Sequence, residues 1–418
     1  MKLVSQLSGF SELSGNQKER GQALVALEKL YHADNAGFQS VATPAPLQEI
    51  QKALAAAEAI IEYVIPYYAL HPASDLGILL ITKQNCLQVH LDLEKILPSK
   101  GMTGRLGVDG RAPIDASPLG EAVIMLRTAL RSANEKVTKQ QLAAFHELLV
   151  QPLVQRGFQP EKYARLIVVA HGVLQYIPFA ALMDRQGVPL IRKTAISMSP
   201  SASVWLELQK RGGRVDHWVA FANPKLEATG FQLLENTVRE VEQISVILAK
   251  LRPSVKLGEQ ASKEQFLASA PGANILHLAT HGEFPNDNAL DQHGLLLAKS
   301  AGSDGVLRAI EVRHLNLASA RLVVLSICNG GLYRMGPTDE PYGLVPAFLL
   351  AGAQNVIATL WRVDDQFGRR FTVEFYKHLL QHGPAEAYRR ACLRFIDEDE
   401  LIHKWAGFVI VGPGRPFT

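Results

Sequence analysis

Five short, largely apolar runs separated by helical stretches fill the second half of the chain, and they constrain its fold more than any other feature. They are residues 218–222, 275–279, 322–327, 356–360 and 408–411. Each is rich in Val, Ile, Leu, Ala or Phe and too short to be a helix. The helices between them have recognisable ends. Thr237-Val-Arg-Glu240 and Ser262-Lys-Glu-Gln265 match capping-box spacing. Gly352 and Gly383 stand where helix C-terminal glycines belong, and Pro384 follows the second. Buried strands joined by helices require an α/β fold with a mostly parallel sheet flanked by helices.

The first half is mixed. Residues 60–65, 76–82, 86–91 and 166–170 are strand-like, with a hairpin signal at Lys83-Gln84-Asn85. Residues 118–131 and 138–155 are helical in pattern, after a Gly- and Pro-rich loop at 101–113. Near the start, helical spacing over 19–31 (Ala23, Leu24, Leu27, Leu30) gives way to the breaking run Ala42-Thr43-Pro44-Ala45-Pro46. The expected organisation is a helical extension over 1–46, one α/β subdomain over 47–214 and a second over 215–418.

With 47% hydrophobic and 20% charged residues, a chain of 418 residues can bury a substantial core. A net charge of only +3, with Lys and Arg scattered, argues against a nucleic-acid platform. Residues 1–10 lack the apolar core of a signal peptide. The longest apolar run, 59–70, is broken by Glu62 and Pro66 and is too short to span a bilayer. Three unclustered cysteines, Cys86, Cys328 and Cys392, suit reduced thiols in the cytoplasm. The expectation is a cytoplasmic protein without nucleic-acid or membrane partners.

In open α/β sheets, reactive groups gather at the carboxyl ends of strands. Two such ends stand out: ILHLATHG, closing on His281-Gly282, and LVVLSICNGG, carrying Cys328 before Gly330 and Gly331. Neighbouring parallel strands would bring these ends to about 5 Å laterally, or about 10 Å with one strand between. An imidazole at that range raises the thiolate fraction of a cysteine. The backbone amides of Gly282 and Cys328 could hold an oxyanion, and Gly330 and Gly331 would let a substrate backbone come close. A cysteine ending a buried strand is otherwise a small core hydrophobe; the pairing of both groups at glycine-flanked strand ends favours catalysis. His277 and His281 are four apart, but on a strand they stand about 13 Å from each other. No metal site and no cofactor is expected.

These motifs resemble the CHAT family, caspase-like peptidases related to separases and often attached to TPR repeats. The likeness spans 47–413 and rests on LIVVAHGVLQYIPFAAL (166–182), ILHLATHGEF (275–284), LVVLSICNGG (322–331), GLVPAFLLAGAQNVIATLWRVDD (343–365) and WAGFVIVG (405–412). It implies a caspase-like second half, a related non-catalytic first subdomain, and His281 with Cys328 as the dyad. Caspases likewise place their histidine about 50 residues upstream. Two departures are His171, where relatives usually carry an acidic residue, and the absence of a TPR array, which leaves activation by another protein open.

In related separases, an acidic residue after a Trp-containing strand end recognises the basic side chain before the scissile bond. Trp361-Arg-Val-Asp364-Asp365 offers two candidates, of which Asp365 fits better; a desolvated carboxylate would pair bidentately with Arg. Alternatively, both aspartates cap the following helix. Glu283 faces either the cleft or solvent. Residues 333–342 suit a mobile loop shaping the substrate groove, or a plain surface connection. The resemblance implies a cysteine endopeptidase cutting a dedicated protein after a basic residue, in regulated proteolysis or bacterial defence, with a gasdermin-like substrate among those it offers. The alternative is a silent interaction module of the same fold.

Overall fold

The structure, a computed structural model, describes residues 44–65, 75–97, 107–108, 112–113, 117–132, 134–226, 234–283, 293–300, 302–327, 334–335 and 341–417. The expected helical extension therefore lies almost wholly outside the described residues. The long strands are β1 (Glu58–Val64), β2 (Asp75–Thr82), β3 (Cys86–Asp92), β4 (Arg165–Val169), β5 (Ala195–Met198), β6 (His217–Pro224), β7 (Arg252–Gly258), β8 (Ile275–Ala279), β9 (Leu322–Leu325), β10 (Val356–Thr359) and β11 (Phe408–Val411). Helices of seven residues or more are α1 (Leu47–Ala53), α2 (Pro118–Arg131), α3 (Glu135–Leu149), α4 (Ala202–Gln209), α5 (Glu235–Ile247), α6 (Lys263–Ser269), α7 (Leu344–Ala351), α8 (Asp365–His382) and α9 (Pro384–Asp397).

All the long strands join one 11-stranded sheet in the order β3-β2-β1-β4-β5-β11-β10-β9-β8-β6-β7. The pairing is parallel except at β1–β2, β2–β3 and β10–β11. Because β11 runs against β10 but along β5, the strands β4 and β5 point opposite to β8 and β9. The carboxyl ends of the two halves thus open at opposite rims. Both faces are covered, as the apolar runs require. On β1, Ala59, Ile61 and Tyr63 join Leu119, Val123 and Leu142 of α2 and α3, while Ile60 faces Ile50 of α1 and Trp205 of α4.

Two strands lacked a clear sequence signal. β5 is only four residues long and includes Ser197. β7 carries Pro253 and lies at the sheet edge, where a missing ladder donor is tolerated. The helix expected over 138–155 is instead α3 followed by a separate turn, Gln151–Val154, with Pro152 at its start. Proline has no N–H to continue a ladder but fits a first helical turn.

Two polar clamps tie the halves together. Near the C-terminus, Arg415 donates to Glu58 on β1 and to the Ala53 carbonyl (2.9 Å), and Arg165 of β4 donates to the same carboxylate at 2.6 Å. Burial pushes the Glu58 carboxyl up, but the Arg415 hydrogen bond, the Ala55 amide and both guanidinium charges outweigh it and hold it below its ordinary value. On the other side, buried Arg127 of α2 donates to the Leu360 carbonyl at 3.0 Å and stacks 4.9 Å over the Trp361 ring. Desolvation pushes its guanidinium down to about 10.

Candidate active site

β8 and β9 are direct neighbours, paired from Ile275↔Leu322 to Leu278↔Leu325. Their carboxyl ends therefore stand about 5 Å apart, the closer of the two spacings expected. Along β8 the side chains alternate between faces. Leu278 lies in register with Phe221 of β6, whose ring packs on Phe266 of α6 at 5.5 Å. His277 points the other way, fully buried, with Nδ1 at 3.3 Å from the Tyr376 hydroxyl of α8. Its Nε2 lies 3.4 Å from Glu240 Oε1 on α5, out of line for a hydrogen bond. His277 is thus a bonded strand residue. Among the described residues, no group of three His, Cys, Asp or Glu is placed to hold a metal ion.

His281 stands two residues beyond β8 and is half-buried. A hairpin fixes its backbone: its carbonyl accepts from Leu296 N at 2.9 Å, and Thr280 Oγ1 donates to the Leu296 carbonyl. Gly282–Glu283 then pairs antiparallel with Gly294–Leu296. Glu283 is exposed on this hairpin, with Arg308 as a charged neighbour.

Cys328 lies outside the described residues, but the chain leading to it is held from three sides. Ser326 N donates to the Leu278 carbonyl at 2.9 Å, Ser326 Oγ donates to Glu240 Oε2 at 3.2 Å, and Thr359 Oγ1 donates to the Ile327 carbonyl at 2.9 Å. The other thiols are poorly suited to nucleophilic work. Burial pushes the Cys392 thiol far up, and burial with the Glu62 charge raises that of Cys86. Of the loop at 333–342, the segments 334–335 and 341–342 pair antiparallel and the rest is outside the described residues.

The two aspartates have separate roles. Asp364 is the N-cap of α8, its Oδ1 accepting from Phe367 N at 2.9 Å, so the capping alternative holds for this residue. Asp365 is half-buried and accepts a hydrogen bond from the Asn236 side chain. Desolvation raises its carboxyl above the usual range; the Glu240 and Asp364 charges add to this, while Asn236 and His281 oppose it. Asp365 and His281 are therefore within electrostatic reach of each other.

Sequence reasoning passed over Glu240 and Asn236. The capping-box match at Thr237-Val-Arg-Glu240 does not hold: α5 begins at Glu235, Thr237 donates to the Leu234 carbonyl, and Glu240 is buried in the core. Asn223, in the left-handed region at φ 43°, accepts from Leu234 N and sets where α5 starts. The i, i+4 spacing of Asn236 and Glu240, which puts both on one helix face, was the available signal.

The CHAT domain model matches residues 139–413. Tetratricopeptide repeat protein 28 of Homo sapiens is 25% identical over 338 residues, covering 68% of this chain and 14% of that protein. Its Mus musculus counterpart is 24% identical over 341 residues, with the same coverage of 68% and 14%. The chain thus spans only a small part of these relatives. Among solved structures, the Saccharomyces cerevisiae separase–securin complex aligns with a TM-score of 0.52 at 12% identity, over 88% of this chain and 31% of that one. That likeness is one of fold, a caspase-like sheet flanked by helices. With a family match over more than half its length, this chain belongs to the CHAT domain family.

Proposed function

We propose that this chain is a cysteine endopeptidase that cuts a protein substrate through Cys328 and His281. The observation that carries the reading is the pairing of β8 with β9, which leads the chain toward Cys328 from beside His281. In the proposed cycle His281 takes the proton of the Cys328 thiol, and the thiolate attacks the carbonyl carbon of the scissile bond. The amides of Gly282 and Cys328 hold the oxyanion. The imidazolium then protonates the leaving amine as the C–N bond breaks. Water, deprotonated by His281, attacks the thioester, releasing the acid and restoring the thiol.

Asp365 receives the basic side chain before the scissile bond: it is half-buried, oriented by Asn236 and close to His281. Exposed Glu283 is an outer contact for substrate, and Asp364 acts indirectly by starting α8. The substrate is a dedicated protein, a gasdermin-like one being an example, cut in regulated proteolysis or bacterial defence. This takes place in the cytoplasm, without a cofactor and with activation by another protein. Among the described residues, no helix is long and apolar enough to cross a membrane.

The test is to incubate the protein and Cys328→Ala with a proteome-derived peptide library and map the cuts by mass spectrometry. Cuts that vanish in Cys328→Ala and follow Arg or Lys support the reading, and cuts that persist in the variant overturn it. A silent interaction module is the second reading, suggested by named relatives that are repeat proteins far longer than this chain. It predicts no cutting.

A further inference from the structure

We propose that Glu240 is a positioning residue for the dyad, acting through Ser326 to fix the backbone of residues 326–327 that leads to Cys328. The inference rests on the peptidase reading above.

Glu240 is 1% exposed, yet its support is thin. Oε2 accepts the Ser326 hydroxyl, and Oε1 meets His277 Nε2 only off-axis. The buried Tyr376 phenol, 3.3 Å from His277 Nδ1, is held well above its ordinary pKa by desolvation and the Glu240 charge. Glu58 shows what a well-satisfied buried carboxylate looks like here, with two guanidinium groups and a backbone amide. Among the described residues Glu240 has none of these, and an apolar side chain of similar volume would serve the core as well.

Its placement accounts for it better than stability does. His277 lies four residues before His281, Ser326 lies two before Cys328, and Asp365 feels the Glu240 charge. One carboxylate therefore touches the histidine strand and the cysteine strand from below. The Leu278 carbonyl and Thr359 hold the 326–327 backbone within the sheet plane. The bond to Glu240 holds it against α5. A nucleophile displaced by about 1 Å can lose about a hundredfold in rate.

The test is the rate of Cys328 alkylation by iodoacetamide, read by peptide mass spectrometry to separate it from exposed Cys86. It is joined by kcat, KM and thermal melting for Glu240→Ala, Glu240→Gln, Ser326→Ala and His281→Ala. Glu240→Ala should slow alkylation and kcat by about tenfold or more, with KM within about twofold. Ser326→Ala should slow both by about threefold. Glu240→Gln keeps a polar group that can hydrogen-bond Ser326 Oγ, so it should stay within about twofold of wild type while melting no lower. Wild-type alkylation rates in folded Glu240→Ala and Ser326→Ala would overturn the proposal. Should Glu240→Ala not fold, Ser326→Ala alone decides. A wild type no faster than His281→Ala fails the peptidase reading and this inference together. A wild type faster than His281→Ala but equal to Ser326→Ala fails this inference only.

Discussion

β4 and β8 each run on for one residue and then into a histidine and a glycine, but the two ends are built differently. After β4, Nδ1 of His171 accepts the Ile65 amide at 2.9 Å, and Gly172, at φ 55°, turns the chain into the short helix Gly172–Tyr176. Leu174 and Ile177 then plug the rim, both fully buried. After β8, the chain leaves as the Gly282–Glu283 hairpin instead. Each histidine has a carboxyl beside it that burial pushes up, Glu62 in the first half and Asp365 in the second. The neighbouring strands differ too. β9 leads toward Cys328, whereas β5 leads to Ser199, whose hydroxyl is committed to the Ser201 carbonyl. The same dipeptide thus serves as a plug or as a candidate base, according to where the following residues take the chain.

The comparison breaks most easily at the histidines. His281→Ala should lower kcat by about 10²–10⁴-fold in steady-state assays, the usual weight of a general base, while His171→Ala leaves kcat unchanged. Equal losses would mean the two ends are not functionally distinct. Next in size is the Glu58 clamp. Glu58→Gln leaves two arginines without their carboxylate and should cost about 3 kcal/mol in denaturant unfolding with no change in kcat. Its folded pKa is depressed, so its stabilisation is present above the unfolded pKa and is lost as pH falls through the folded one. A pH titration of stability should lose the wild-type advantage on that acid side.

Asp365→Asn should reduce kcat/KM on Arg substrates by about 2 kcal/mol, roughly thirtyfold. Because the folded pKa of Asp365 is raised, kcat/KM on such substrates should fall as pH drops through that value, ahead of substrates with neutral side chains. The stability sign is opposite to that of Glu58. Ionised Asp365 is a cost above its unfolded pKa, relieved as pH falls, so Asp365→Asn should melt no lower than wild type at neutral pH. The smallest effect is on stability in the first half. His171→Ala removes the acceptor of the Ile65 amide and should cost about 1 kcal/mol in thermal unfolding.

Much of the sheet was legible because its strands are buried on both faces and carry unbroken apolar runs; β8 and β11 match their sequence boundaries residue for residue. The mostly parallel character followed from helical crossovers. The reversal at β11 did not, since strand direction leaves no mark on local periodicity. The position of His281 at a strand end was readable for the same reason as the strands. Glu240 was not, because its partners His277, Ser326 and Tyr376 come from distant segments, and a capping-box match offered a local explanation that the start of α5 at Glu235 removes. Arg127 on Trp361 is the same kind of long-range pair.

The most direct test is the pH dependence of Cys328 alkylation in wild type and His281→Ala. If the imidazole and thiol act together, wild type should react fastest near neutral pH through a depressed thiol pKa. His281→Ala should then follow an ordinary thiol curve, with midpoint near 8.5. Superimposable curves would contradict the dyad.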